Sequence, residues 1–194
     1  MHPSVLRNRE PILAVLRTLL PSDAEVVEVA SGSGAHAAFM TAHLPALRWL
    51  TTEHSPRSLP RLQARRQESG APGFLPPARL DAADPDQWPI PGADAIVCIN
   101  MAHISPWSAT DGLLRGAARI LPPGGFLYLY GPFMVDGAHT APSNARFDTM
   151  LRSQDPSWGI RDLTALATHS AALGLTMEAP IPMPANNFSL VLRR

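Results

Sequence analysis

Hydrophobic residues along this chain fall into two alternating kinds of segment. Short apolar runs rich in β-branched residues are typical of buried strands, and we predict strands at 25–30, 48–53, 75–81, 94–100 and 126–130. Between them, apolar residues recur at helical spacing, which predicts helices at 11–20, 35–44, 56–68, 106–120 and 162–173. We expect Pro11 to start the first helix and Ser105 to cap the fourth.

The C-terminal part of the chain departs from this alternation. Two last strands are predicted at 175–179 and 188–193, and the proline-rich loop between them allows an antiparallel edge. Residues 131–159 are irregular apart from a short helix predicted at 144–152, and we interpret this segment as a lid that helps to bind an acceptor. Strands that alternate with helices predict one α/β domain over 1–194, with a parallel sheet and helices on both faces.

The amino-acid composition excludes several kinds of reaction and binding site but does not change the predicted fold. The 194 residues carry a formal net charge of zero, and all 16 basic residues are arginine. The lack of lysine excludes Schiff-base chemistry and a lysine-dependent phosphate loop, and the lone Cys98 excludes a disulfide framework or a cysteine-based zinc site. A net charge of zero gives no electrostatic indication of nucleic-acid binding. Without a membrane-length apolar run or a signal peptide, we expect a cytoplasmic protein with no membrane partner.

A glycine-rich turn follows the first predicted strand. Gly32 and Gly34 let the backbone turn tightly beside Ala30 and Ser31, and the helix that follows offers unpaired N–H groups. Glu53 ends the second strand, where a carboxylate can accept both hydroxyls of a ribose. The turn also satisfies a dinucleotide fingerprint, so both a dinucleotide and S-adenosylmethionine fit it. A tight turn without any ligand is the remaining interpretation.

The acidic residue Glu28 distinguishes the two cofactors by charge. A dinucleotide places its pyrophosphate at this turn, where a nearby carboxylate repels it. S-adenosylmethionine instead places a sulfonium and an ammonium there, and an acidic strand end attracts both. We therefore favour S-adenosylmethionine as the cofactor, with Glu28, Glu53 and the turn residues as its ligands.

Polar residues after the other strands complete the candidate cofactor site. Asp81 and Ala82 follow the third strand, where a carboxylate can bind an adenine amino group. Asn100 and Met101 follow the fourth strand and are suited to bind and cover the amino-acid end of the cofactor. His103 is either a base or a buried orienting group.

Methyl transfer to a hydroxyl requires a positioned acceptor and the removal of a proton. We name His139 as the first candidate base, with His103 and Tyr130 as the other catalytic candidates. The substrate-binding candidates are Arg7, Asn8, Ser143, Asn144 and Asn186, the last with its neighbour Asn187. Arg7 and Asn8 either fold over the cofactor or bind an acidic substrate. The remaining histidines show no metal-ligand spacing, so we expect no metal.

Several short motifs are spread over nearly the whole chain. They are Arg7-Asn-Arg-Glu-Pro-Ile12, Glu28-Val-Ala-Ser-Gly-Ser-Gly34, Asn100-Met-Ala-His-Ile-Ser-Pro-Trp107, Leu129-Tyr-Gly-Pro-Phe133, His139-Thr-Ala-Pro-Ser-Asn144, Phe147-Asp148, Asp155-Pro-Ser-Trp-Gly-Ile-Arg-Asp162 and Met183-Pro-Ala-Asn-Asn187. As a set they resemble a family of small methyltransferase-like proteins of unassigned function, within the class I S-adenosylmethionine-dependent methyltransferases. The resemblance implies a Rossmann-like, seven-stranded, mostly parallel sheet with an antiparallel last strand and an S-adenosylmethionine site. It implies no substrate.

The sequence thus leads to methyl transfer from S-adenosylmethionine to an oxygen or nitrogen of a small metabolite as the first hypothesis. A protein that only binds S-adenosylmethionine or S-adenosylhomocysteine is an alternative, because no catalytic base is obvious. An NAD-dependent oxidoreductase is a further alternative, disfavoured by Glu28 and by the lack of a Tyr-x-x-x-Lys pair. The small acceptor is the expected partner, and monomer and homodimer both remain open.

Overall fold

The computed structural model describes residues 3–194, with side chains from residue 5 onward. In this part of the chain the α-helices are α1 (Pro3–Leu19), α2 (Ala35–His43), α3 (Leu59–Ser69), α4 (Trp107–Ile120), α5 (Pro142–Gln154) and α6 (Leu163–Ala172). The strands are β1 (Glu25–Val29), β2 (Arg48–Glu53), β3 (Ala78–Arg79), β4 (Ala95–Ile99), β5 (Phe126–Gly131), β6 (Phe133–Val135), β7 (Ala138–His139), β8 (Arg161–Asp162), β9 (Thr176–Met177), β10 (Ile181–Met183) and β11 (Asn187–Arg193).

The main sheet has the strand order β10-β11-β5-β4-β1-β2-β3, and β9 adds an eighth strand beside β11. The strands from β1 to β5 run parallel to one another. β11 runs antiparallel to β5, with Ser189 opposite Tyr130, and it also pairs antiparallel with β10. The predicted α/β class, the mostly parallel sheet and the antiparallel last strand are therefore confirmed, and the eighth strand is an addition to the seven expected.

Side chains alternate between the two faces of this sheet and form two cores. Val27 of β1 shares one core with Leu114 of α4 and Leu166 of α6. Val26, its neighbour on the same strand, shares the other core with Ile12 of α1. Helices therefore cover both faces, as predicted, and burial of their apolar stripes is the main driving force for the fold.

The strand order reverses beside β1. The chain moves outward from β1 to β2 and β3, and then returns to the other side of β1 with β4 and β5. Such a reversal opens a crevice at the carboxyl ends of the parallel strands, because the connections on its two sides lead away from each other. The loops after β1, β2, β4 and β5 therefore meet at one edge of the sheet, and this edge holds the candidate site.

The segment 131–159 is more regular than predicted. It contains β6, β7 and α5, and β6 pairs with β7 and β8 in a small second sheet. Strands of three and two residues are too short to show an alternating pattern in the sequence. α5 also extends beyond both ends of the helix predicted at 144–152.

Two predicted helix starts were wrong. α1 begins at residue 3 and contains Pro11 in its interior. The proline costs the helix one hydrogen bond, and burial of Ile12 and its neighbours compensates for that loss. Ser105 does not cap α4, which begins at Trp107 without a side-chain cap. The Ser105 hydroxyl instead donates to the Met101 carbonyl at 2.9 Å.

The predicted third strand and the terminal hairpin also differ from the structure. Only Ala78–Arg79 forms β3, because Pro76 and Pro77 cannot donate hydrogen bonds to a strand ladder. β9 covers two of the residues predicted as a strand at 175–179. β10, the hairpin partner of β11, lies in the proline-rich segment that was expected to be a loop.

Candidate functional site

Two adjoining cavities lie at the carboxyl edge of the sheet. Cavity A has a volume of about 400 Å³, and its wall includes Ala30, Glu53, Asp81, Ala82, Met101 and Trp158. Cavity B has a volume of about 540 Å³ and is lined by Arg7, Asn8, Asn100, His103, Ile104, Pro132, Ser143, Asn144, Phe147, Ala185, Asn186 and Asn187. Ile104 lines both cavities, so ligands in the two would lie next to each other.

The turn after β1 holds three residues with left-handed backbone. Ala30, Gly32 and Gly34 have φ angles of 58°, 60° and 69°. A Cβ added at Gly34 would lie 3.0 Å from Cδ2 of Leu62, so α2 and α3 can approach this closely because residue 34 is glycine. A Cβ added at Gly32 would meet no other described atom within 4 Å. The space beside Gly32 is therefore free of described side chains, although Gly32 itself lines neither cavity.

Glu53 joins the end of β2 to the glycine turn. Its Oε1 accepts a hydrogen bond from the Gly32 N–H at 2.7 Å, while Arg61 Nη2 donates to the Gly32 carbonyl at 2.7 Å. Glu53 is half-buried on the wall of cavity A, and its Oε2 has no hydrogen-bond partner among the described residues. This oxygen is available to accept a hydroxyl hydrogen bond from a ligand.

Asp81 and Ala82, which follow β3, also lie on the wall of cavity A. The Ala83 N–H donates to Oδ1 of Asp81 at 2.9 Å, and His54 Nδ1 lies 3.1 Å from Oδ2. Trp88 Nε1 donates to the Asp81 carbonyl at 2.7 Å. These contacts hold the carboxylate in place, and each of its oxygens keeps a lone pair for a ligand.

Glu28 lies behind the turn and lines neither cavity. It is 2% exposed, and Trp49 Nε1 donates to its Oε2 at 3.0 Å. Burial raises the pKa of Glu28 to about 7, although the hydrogen bond from Trp49 acts in the opposite direction. The Ser31 hydroxyl also donates to the Glu28 carbonyl at 3.0 Å. Glu28 and Ser31 thus hold the turn from behind, and neither side chain lines a cavity.

Cavity B brings together side chains that are distant in the sequence. They come from α1, from the loop after β4, from α5 and from the turn before β11, and they include Arg7, Asn8, Asn100, His103, Ser143, Asn144 and Asn186 of the sequence candidates. Asn8 is 3% exposed, and its Oδ1 has no partner among the described residues. Asn100 has a φ of 66°, a left-handed conformation that asparagine adopts more readily than most residues.

The imidazole of His103 is confined within cavity B. His103 is 4% exposed, and its ring packs edge-on against Phe147 with the centroids 5.5 Å apart. A Cβ added at Gly131 would lie 3.1 Å from His103 Nδ1. Burial lowers the pKa of His103 to about 4, and the charge of Arg161 adds to this effect. The ring is therefore neutral at neutral pH, and one of its nitrogens can accept a proton.

Hydrogen bonds to backbone carbonyls determine the orientation of two asparagines in cavity B. Nδ2 of Asn144 donates to the Asn186 carbonyl at 3.0 Å. Nδ2 of Asn187 donates to the Pro184 carbonyl at 3.0 Å and to the Tyr130 hydroxyl at 3.2 Å. Because a carbonyl only accepts hydrogen bonds, these amide nitrogens are committed to the protein. Their Oδ1 atoms remain available as acceptors for a ligand.

Two of the catalytic candidates lie outside both cavity linings. Tyr130 is buried at the end of β5, where burial raises the pKa of its hydroxyl. His139 Nε2 lies 3.6 Å from Oδ2 of Asp148, whose Oδ1 accepts a hydrogen bond from the Ile160 N–H at 2.6 Å. His139 therefore belongs to a cluster that holds β7, α5 and the segment before β8 together.

The cavity walls also contain residues that the sequence analysis did not name as site candidates. Ile104 and Phe147 line cavity B, and His54 and Trp158 line cavity A. Phe147 and Trp158 are aromatic residues in a largely polar segment, which is a signal that could have identified them. Ile104 and His54 carry no such signal, because their place depends on how neighbouring loops fold.

Three further features of the described residues concern metal binding, membrane spanning and nucleophilic chemistry. Within residues 3–194, no group of three or more His, Cys, Asp or Glu could hold a metal ion. None of the helices over the same range is long and apolar enough to cross a membrane. Cys98 is buried in β4, and burial raises the pKa of its thiol to about 12, so the thiol is not activated as a nucleophile.

Solved structures of methyltransferases share this fold. An O-methyltransferase family protein from Burkholderia thailandensis matches with a TM-score of 0.81 at 18% identity, over 98% of this chain and 57% of its own. Mitomycin 7-O-methyltransferase MmcR matches with 0.82 at 19% identity, over 98% of this chain and 54% of its own. CalO1, a methyltransferase in calicheamicin biosynthesis solved in its SAH-bound form, matches with 0.77 at 16% identity, over 96% and 54%. The chain thus spans little more than half the length of these proteins.

A family model matches the complete sequence. It is described as a protein of unknown function (DUF938), and the match runs over residues 1–194. Together with the shared fold, this match confirms the resemblance to a methyltransferase-like family of unassigned function. The chain therefore belongs to the DUF938 family of proteins of unknown function.

Proposed function

We propose that this protein is an S-adenosylmethionine-dependent methyltransferase that acts on a hydroxyl oxygen of a small molecule. One observation carries the proposal: Glu53 accepts a hydrogen bond from the Gly32 N–H at 2.7 Å and keeps its second oxygen for a ligand in cavity A. A carboxylate at this strand end, beside a glycine turn, is placed to accept ribose hydroxyls. The fold shared with methyltransferases supports the same conclusion.

The residues around cavity A fit this cofactor. Glu53 would hold the ribose, and Asp81 and Ala82 would contact the adenine. No described side chain beside Gly32 would block a close approach to the turn. Asn100, at the end of β4, would hold the amino-acid end of the cofactor on the side of cavity B. When bound, S-adenosylmethionine supplies a methyl group already activated by its positively charged sulfur.

We assign the general base to His103, in place of His139 as the first candidate. His103 lines cavity B, whereas His139 contacts Asp148 and lines neither cavity. The hydroxyl proton of the acceptor would move to a ring nitrogen of His103 as the oxygen bonds to the methyl carbon and the carbon–sulfur bond breaks. The products would be the methyl ether, S-adenosylhomocysteine and a protonated His103. The neutral ring required for this step follows from the lowered pKa of His103. Asn8 and Asn144 would orient the acceptor through their amide oxygens.

Calorimetric titration tests the cofactor assignment. Titrations with S-adenosylmethionine, S-adenosylhomocysteine and NAD should show binding of the first two. Glu53→Gln should weaken that binding roughly tenfold or more, because a charged acceptor of ribose hydroxyls is lost. Glu68→Gln is the matched control, since Glu68 is exposed on α3 and pairs with Arg65. Binding of NAD alone would refute the proposal and would favour the NAD-dependent oxidoreductase instead.

A methyl-transfer assay tests the assignment of His103 as the general base. With labelled S-adenosylmethionine and a panel of small hydroxyl compounds, His103→Gln should lose roughly a hundredfold or more of the methyl-transfer rate and keep cofactor affinity. His43→Gln, at an exposed position on α2, is the control and should keep full activity. Full activity of His103→Gln would refute its role. Tight cofactor binding without transfer to any compound would instead favour a protein that only binds S-adenosylmethionine.

A further inference from the structure

Cavity B has a positively charged wall. Arg7 lines it, the described part of the lining includes no carboxylate, and His103 is neutral at neutral pH. Burial raises the pKa of the Tyr130 hydroxyl, and the positive charge of Arg7 lowers it in part. The Arg7 guanidinium is therefore close enough to the Tyr130 hydroxyl to act on it. No described carboxylate forms an ion pair with Arg7. The charge is therefore available to a ligand in the cavity.

A second guanidinium lies behind His103. Arg161 is half-buried and donates to the carbonyls of Ala102 at 2.8 Å and Ser105 at 2.5 Å. The carboxylate that acts on it most, Asp148, is already shared with other donors. After burial, the positive charge of Arg161 is the second cause of the lowered pKa of His103. The positive field of Arg161 thus adds to that of Arg7 within the cavity.

The other polar groups of cavity B present acceptor atoms. Asn8 has a buried Oδ1 without a partner among the described residues, and Asn144 and Asn187 donate their amide nitrogens to backbone carbonyls. A buried acceptor left without a donor is costly, so a ligand that brings hydroxyl groups to these oxygens is favoured. Ile104 and Phe147 supply apolar surface for a compact carbon skeleton.

We propose that the methyl acceptor is a small hydroxycarboxylate whose carboxylate pairs with Arg7 and whose hydroxyl lies beside His103. This inference rests on the proposed methyl transfer and names the substrate class of the same site. A cationic acceptor would face the Arg7 guanidinium, with no carboxylate in the described lining, and the charge of Arg161 behind His103 would add to the repulsion. A bound carboxylate would also stabilise the imidazolium that forms when His103 takes the hydroxyl proton.

The test compares acids with neutral molecules of the same shape. Protein saturated with S-adenosylhomocysteine is titrated with lactate against lactamide, and with 4-hydroxybenzoate against 4-hydroxybenzamide. In at least one pair the acid should bind roughly tenfold or more tightly than the amide. Arg7→Gln should abolish this preference, and Arg7→Lys should restore part of it. Arg17→Gln is the matched control, because Arg17 is an exposed arginine in the last turn of the same helix.

Each outcome decides the proposal. Amides that bind as well as the acids, failure of both acids to bind, or a preference that survives Arg7→Gln would each overturn it. Loss of S-adenosylhomocysteine affinity in Arg7→Gln with the acid preference intact would assign Arg7 to the cofactor's own carboxylate and overturn it too. If the unmodified protein binds no S-adenosylhomocysteine, the proposed function fails with it. Normal S-adenosylhomocysteine binding with rejected acids overturns the acceptor class alone.

Discussion

Alanine at Gly34 should destabilise the fold, whereas alanine at Gly32 should chiefly weaken cofactor binding. Both glycines have left-handed backbone in the same turn, so the two substitutions share the same conformational cost. They differ in what the new methyl group meets. At Gly34 it would lie 3.0 Å from Leu62 Cδ2 and 3.2 Å from Arg65 Cγ, while at Gly32 it would meet no described atom within 4 Å beyond the two neighbouring residues.

The magnitudes follow from this difference. A left-handed alanine costs roughly 1–2 kcal/mol in either position. Crowding of Leu62, which is 0% exposed and cannot move toward solvent, adds roughly 1–3 kcal/mol at Gly34. We therefore expect a loss in the free energy of unfolding of about 2–5 kcal/mol for Gly34→Ala and about 1–2 kcal/mol for Gly32→Ala.

Urea denaturation of both variants measures the first effect, and calorimetry with S-adenosylhomocysteine measures the second. Gly32→Ala should lose roughly tenfold or more in affinity, because its methyl group would occupy the open side of the turn. Equal losses of stability in the two variants would refute the crowding argument at Leu62. Unchanged affinity in Gly32→Ala would show that the cofactor does not approach this side of the turn.

Three further predictions concern buried titratable groups. Because burial raises the pKa of Glu28 to about 7, the stability it contributes is present below its unfolded pKa and is lost as the pH rises through about 7. Urea denaturation at about pH 5 and about pH 8 should show that Glu28→Gln removes roughly 3 kcal/mol of this pH dependence, and an unchanged dependence would contradict the assignment. Burial lowers the pKa of His36 to about 4, so its contribution is present above about pH 6.5 and is lost as the pH falls through about 4; His36→Gln should flatten the acid side of the stability curve, as measured by thermal unfolding. Gly131→Ala should displace the His103 ring and lower turnover with cofactor affinity unchanged, and normal turnover would show that the 3.1 Å contact can be relieved.

The sequence predicted the strands of the sheet better than the helix starts. Strand β2 has the predicted limits, and the strand ends that carry Glu53, Asp81 and Asn100 lie at one edge as expected. These predictions depend on local patterns and on the direction of parallel strands. The predictions for Pro11 and Ser105 were wrong because proline and serine each occupy several positions in and near helices. Tertiary packing decides which position is adopted.

The candidate site was harder to predict where it depends on which face a side chain occupies. Glu28 was expected to contact the cofactor, but alternation along β1 buries it beside Trp49. His139 was the first candidate base, and pairing of β6 with β7 instead brings it to Asp148. His103 was left between a catalytic and a structural role, and the sequence alone could not show that its ring lines a cavity.

The antiparallel last strand determines how the protein can be tethered for surface-based measurements. Phe188, the second residue of β11, lies opposite Gly131 at the edge that holds the cavities, and Arg193 at its end lies opposite Phe126 at the other edge. The Arg194 N–H donates to the Gly125 carbonyl at 3.0 Å, which holds the chain there. A biotinylated tag fused after Arg194 would therefore immobilise the protein with both cavities facing the solution.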